Sequence, residues 1–161
     1  MTPAKIYWED LQRGTVHALG SVTTSAEAMI AFAQEFDPQP FHLDEEAGEA
    51  SIFGGLCASG WFTCSVAMRL LVEHLLKHSS YMGSPGADNI KWLKPVYAGD
   101  TLSLKYTILD SRPLRRRADV GMVQSVCELF NQDGAKVLYA EGYAMFGRRH
   151  PAPADAMAEP A

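Results

Sequence analysis

The sequence predicts an α+β domain in which a curved antiparallel sheet of about five strands wraps around a long central helix. Three observations lead there. The segment from Ser59 to about Lys77 has helical spacing and is apolar on most of its faces, and such a helix must be covered by other structure. After Gly83-Ser84-Pro85-Gly86 the chain changes to strand-like patterning that continues to Phe146. Asn131-Gln132-Asp133-Gly134 carries a hairpin signal that makes the last two strands antiparallel neighbours.

Taken in order, Tyr7 to Arg13 reads as an extended lead-in closed by a turn at Gly14, and Val16 to Val22 as the first strand. Thr24-Ser25-Ala26-Glu27 has the form of a capping box, so a helix should begin there, with Met29, Ile30, Ala33 and Phe36 on its apolar face. Pro38 and Pro40 end it, because proline fixes φ and keeps the preceding residue out of the α region. A short helical piece is expected around Asp44 to Ala50, then a flexible approach through Phe53-Gly54-Gly55-Leu56.

In the central helix Trp61, Cys64, Met68, Leu71 and Leu75 form one stripe, and Phe62, Val66 and Leu70 a second. Glu73, His74, Lys77 and His78 mark its solvated end. Further strands are expected at Asn89 to Leu93, Thr101 to Leu109, Met122 to Phe130 and Val137 to Phe146. Lys94-Pro95-Val96 and Gly99-Asp100 break and turn the chain between them. Residues 1–149 are read as one domain, and the Pro- and Ala-rich 150–161 as a disordered tail.

A chain of 161 residues can bury a core without disulfides or metal. Its 47% hydrophobic and 20% charged residues fit a soluble globular protein. A net charge of −5 argues against a nucleic-acid binder. Cys57, Cys64 and Cys127 are odd in number and form no CxxC pair, which suits reduced cysteines in a cytoplasmic protein. The first residues lack the apolar run of a signal peptide, and no segment has the length of a membrane span. His74 and His78 have metal-compatible spacing but no third ligand nearby, and Glu73 is misplaced for HExxH, so no metal site is expected.

The chemistry concentrates in Phe36-Asp37-Pro38-Gln39-Pro40-Phe41-His42-Leu43-Asp44. A carboxylate and an imidazole lie five residues apart on a proline-stiffened segment that can aim both at one point. Together they can hold a water, take a proton from it and return one elsewhere. The plain alternatives are an aspartate making a turn hydrogen bond and a satisfied, partly buried histidine. Asp44 is read as the cap of the next short helix.

Asp37-Pro38-Gln39-Pro40-Phe41-His42, followed by Leu43-Asp44, resembles the Asp-x-(Asn/Gln)-Pro-x-His motif of the MaoC-like branch of the hot-dog fold, which includes the (R)-specific enoyl-CoA hydratases. Ser59-Gly60-Trp61 occupies the place of that family's His-Gly-Met-like step into the central helix. Ile90 to Thr101 is similar to its strand–proline–Gly-Asp turn. The resemblance covers roughly Val16 to Phe146. It implies that Asp37 and His42 hold the water added across, or removed from, a C2=C3 bond conjugated to a thioester. The Gly60 N–H would then bind the thioester oxygen, as suits a helix start with unpaired donors and partial positive charge. Glycine there lets the acyl group approach the main chain.

The resemblance further implies substrate contacts from Pro40, Phe41, Ser59 and Trp61, and a homodimer whose sheets join edge to edge. It requires no metal or redox cofactor; coenzyme A enters only as part of the substrate. Two residues depart from the pattern. Ser59 stands where many members have His, and Trp61 is bulkier than usual and would reshape the acyl pocket. Ser65, one turn before the place where some hydratases carry a serine, is assigned no role. The run Arg112, Arg115, Arg116 and Arg117 reads as a solvated connecting loop, with Arg115 the candidate for coenzyme A phosphate because guanidinium suits phosphate geometry. Two other functions fit the same frame: a hot-dog thioesterase, although Glu73 lies too near the end of the central helix for its acid, and a non-catalytic acyl-CoA-binding protein.

Overall fold

A computed structural model describes residues 5–153. Six strands and four α-helices follow in the order β1 (Val16–Thr23), α1 (Ala26–Phe36), α2 (Pro40–Leu43), α3 (Glu45–Glu49), α4 (Gly60–His74), β2 (Tyr81–Gly83), β3 (Ala87–Trp92), β4 (Thr101–Leu114), β5 (Arg117–Phe130) and β6 (Lys136–Gly147). The strands form one antiparallel sheet in the order β1-β4-β5-β6-β2, and β3 also pairs with β6. The sheet curls around α4, which is the hot-dog arrangement.

Side-chain alternation explains which sheet face is inside. In β4 the period of two buries Leu102, Leu104, Tyr106 and Ile108. Val123 and Leu129 of β5 and Leu138 and Phe146 of β6 join them. Helix α4 answers with Val66, Ala67, Leu70 and Leu71, and Leu75 follows at its end. Leu70 is 1% exposed at the middle of this contact. Leu70→Ala is expected to lower the unfolding free energy by about 2–5 kcal/mol, because the lost transfer energy adds to a cavity that the packed sheet only partly collapses. Urea denaturation measures it; a loss of less than about 1 kcal/mol would show that this layer is not the core.

Several boundaries differ from expectation. The sheet has six strands rather than about five, because Tyr81–Gly83 forms a short strand too brief to produce a periodic signal. The β4–β5 hairpin is long, so Arg112 and Arg117 lie in strands and only Arg115 and Arg116 form the turn. Helix α4 ends at His74, and Leu76–His78 follows as a 3₁₀ turn. Pro40 starts α2 instead of merely blocking a helix, since the first helical position needs no N–H donor.

The lead-in is also more structured than expected. Trp8–Asp10 is a 3₁₀ turn, Trp8 packs against Gly121, and Arg148 lies over the Trp8 ring. The backbone N–H groups of Arg149 and His150 donate to Glu9. Most of the expected tail, 154–161, lies outside the described residues.

Helix α4 is not wrapped on every side within one chain. Trp61, Met68 and Val72 are 55%, 50% and 39% exposed, on one helical stripe. Among the described residues, no helix is long and apolar enough to cross a membrane.

Candidate active site

Asp37 is the C-cap of α1, its N–H donating to Ala33, and Pro38 prevents the helix from continuing past it. His42 lies on α2, the single turn that Pro40 initiates. This tight reversal brings the two side chains together, with Asp37 Oδ2 3.5 Å from His42 Nε2. Gly60 is the first residue of α4, so its N–H has no acceptor inside that helix. All three line one cleft of about 410 Å³, along with Phe41, Trp61, Trp92 and Lys94.

The histidine's orientation follows from its other nitrogen. His42 Nδ1 lies 2.7 Å from the Cys57 carbonyl oxygen, which can only accept, so Nδ1 carries the hydrogen. In the neutral ring Nε2 therefore presents a lone pair to Asp37 Oδ2. Two acceptors 3.5 Å apart do not bond to each other. A water donating one hydrogen to each satisfies both, and it becomes more nucleophilic as it does so.

The carboxylate is held at both oxygens. Gln39 Nε2 donates to Oδ1 at 2.7 Å and Ser59 Oγ to Oδ2 at 2.7 Å. Burial pushes the Asp37 carboxyl up, but the hydrogen bonds from Ser59 and Gln39 and the attraction of His42 outweigh it and leave it below the usual aspartate value. A depressed carboxyl of this kind contributes stability above the unfolded aspartate value, lost as pH falls through the folded one. Cys57 also lies on the cleft, where burial pushes its thiol up and so disfavours the nucleophilic thiolate.

The remaining expected site residues fall into two groups. Phe41 and Trp61 line the cleft, and Trp61 meets Trp92 edge to face at 5.2 Å. The others do not line it. Pro40 is exposed at the start of α2, where its ring serves the helix. Ser59 is fully buried and its hydroxyl is spent on Asp37 and on capping Trp61 N–H. Arg115 stands at the exposed tip of the β4–β5 hairpin, because the strands run further than the pattern implied. Ser65 returns its hydroxyl to the Trp61 carbonyl.

Two residues outside the expected set matter. Trp92 donates its Nε1–H to the Gly60 carbonyl at 2.7 Å, and a Cβ at position 60 would come 2.6 Å from that indole. Close approach of Trp92 is thus a reason for glycine here that the sequence pattern does not show. Lys94 lines the cleft between Leu93 and Pro95. The break Lys94-Pro95-Val96 was the available signal for it.

Residues 12–128 match the family model described as MaoC like domain. The chain is 30% identical over 128 residues to the uncharacterized protein YdeM of Bacillus subtilis, covering 80% of this chain and 89% of that protein. It is 28% identical over 134 residues to 3-hydroxybutyryl-CoA dehydratase of Methylorubrum extorquens, covering 80% of each. The crystal structure of the MaoC-like dehydratase from Rhodospirillum rubrum is similar with a TM-score of 0.83 at 38% identity, over 90% of this chain and 99% of that one.

Proposed function

The chain belongs to the MaoC-like domain family, and on that premise we propose that it is an acyl-CoA (enoyl-CoA) hydratase or dehydratase, with Asp37, His42 and Gly60 as its catalytic groups. The observation that carries this reading is the pair of acceptors, Asp37 Oδ2 and His42 Nε2, converging across 3.5 Å on the wall of a cleft.

In the hydration direction a water held between them loses a proton to the pair while its oxygen bonds to C3. The C2=C3 π pair becomes a C1=C2 bond and the carbonyl π pair moves onto the thioester oxygen, where the Gly60 N–H donates to the developing charge. C2 then takes a proton from the same side, and the carbonyl re-forms. Elimination of water runs these steps backward. The Asp37 carboxylate is ionised at neutral pH, as proton removal requires.

Phe41, Phe53 and Val96 give the cleft apolar walls suited to an acyl chain. Trp61 and Trp92 narrow it next to Gly60, which favours short chains. Lys94 would meet the anionic carrier end, the role first expected of Arg115. The name of the Methylorubrum relative, a 3-hydroxybutyryl-CoA dehydratase, supports both the reaction and the short chain.

The purified protein, given crotonyl-CoA and longer enoyl-CoAs, is expected to remove the absorbance of the conjugated bond, fastest for the shortest. Free thiol release without hydration would instead identify a thioesterase, and saturable binding with neither reaction a carrier protein.

The same reading includes a homodimer. Its support is the uncovered stripe of α4 beside the partly exposed β3, an apolar surface and an unpaired strand edge together. Sedimentation is expected to give twice the chain mass, and Met68→Lys to return it to one. A monomeric wild type at micromolar concentration removes this part.

A further inference from the structure

We propose that Ser59 is a positioning residue of this site, whose buried hydroxyl fixes the Asp37 carboxylate relative to the Gly60 N–H. The inference rests on the reaction assigned above and adds a role at a position that the sequence reads as a helix cap or a substrate contact.

Ser59 is 0% exposed and does not line the cleft, so it cannot meet a substrate directly. Its Oγ donates to Asp37 Oδ2 at 2.7 Å and accepts from Trp61 N–H at 3.2 Å. One hydroxyl therefore joins two chain segments that are 22 residues apart, the end of α1 and the start of α4. Residue 59 is covalently next to Gly60, so the bond sets where the carboxylate stands relative to the amide hydrogen of the helix start.

A carboxylate rotates easily about its last torsion. With Gln39 on Oδ1 and Ser59 on Oδ2, rotation breaks two hydrogen bonds and moves the oxygen that faces His42. Removing Ser59 leaves Oδ2 without its protein donor. The carboxylate then turns away from His42, and misplacement of this size is worth about 10²-fold in rate.

Ser59 is also the N-cap of α4, and the test must separate the two duties. Threonine and glycine are about equally good N-caps, but only threonine keeps the hydroxyl. Ser59→Gly and Ser59→Ala are therefore expected to lower kcat for crotonyl-CoA hydration about 10²-fold with KM little changed, while Ser59→Thr, which keeps the hydroxyl but must fit one more methyl, loses clearly less than either. The titratable groups facing Asp37 are His42 from α2 and Cys57 from the approach to α4, and both are the same in every variant.

The readout that does not depend on turnover is the titration of the Asp37 carboxyl carbon by NMR. It should move to higher pH in Ser59→Gly and Ser59→Ala and stay in place in Ser59→Thr, because a donor to the charged form is lost only in the first two. An unmoved titration with kcat within about twofold of wild type, or equal behaviour of the Gly and Thr variants, overturns the proposal. Should the wild-type protein hydrate no enoyl thioester, the reaction assignment falls, and the titration alone decides for or against the Ser59–Asp37 link.

Discussion

Asp37→Asn is expected to lower kcat for hydration of crotonyl-CoA by about 10³-fold while leaving the fold intact. Asparagine has the same shape, and its oxygen still accepts from Ser59 or Gln39, the two donors that hold the carboxylate. What it lacks is proton affinity. Water facing an amide and the Nε2 lone pair of His42 has one base where it had two. His42→Ala should cost a comparable factor by removing the other half.

The diagnostic comparison is the double variant. Two groups that hold one water act as a unit, so Asp37→Asn with His42→Ala should be no slower than the slower single variant. Initial rates of absorbance loss test this directly. A single variant keeping a tenth of wild-type activity, or losses that multiply in the double variant, would remove the paired-acceptor mechanism.

The second large effect concerns Gly60. Gly60→Ala brings a Cβ to 2.6 Å from the Trp92 indole, which is itself held by the Gly60 carbonyl. Trp92 must move, and overpacking of this kind costs about 1–3 kcal/mol. Gly60→Pro adds a Cβ at the same place but also deletes the N–H, and proline is accommodated at the first position of a helix. Alanine keeps the donor and proline does not.

The difference between the two variants therefore reports the amide hydrogen, and it should amount to about 10²–10³ in kcat. Thermal unfolding of both variants and their hydration rates separate strain from chemistry. Where the strain prevents folding, Trp92→Leu makes room for either substitution and the same comparison is made in that background. Equal kcat for the Ala and Pro variants would show that the thioester oxygen is bound elsewhere.

Much of this arrangement is legible in the amino-acid sequence. The central helix was legible because Val66, Leu70, Leu71 and Leu75 repeat at helical spacing, and all four face the sheet. The paired groups were legible because Asp37 and His42 are close in sequence and the prolines between them leave few conformations. What escaped were two side-chain bonds between distant segments. Ser59 looked like a substrate contact because its bond to Asp37 spans 22 residues. Trp92 looked like a strand residue because nothing local says that its indole covers Gly60, 32 positions earlier.

Periodicity also could not tell which apolar stripe of α4 meets its own sheet and which is left over. Trp61 and Met68 read as core in the pattern, yet both are half exposed in the single chain. The arginine run misled for the opposite reason. Consecutive charges read as a loop, but β4 and β5 continue outside the core, where sheet hydrogen bonds need no buried face.

Two of the chain's three tryptophans, Trp61 and Trp92, stand edge to face on the cleft wall, while Trp8 sits apart against Gly121. Both are about half exposed in the single chain and both line the cleft, so whatever enters beside them changes the surroundings of two of the protein's main fluorophores. Intrinsic emission is thus a label-free gauge of occupancy, usable with saturated thioesters that undergo no reaction. It would rank chain lengths by affinity alone, independent of turnover.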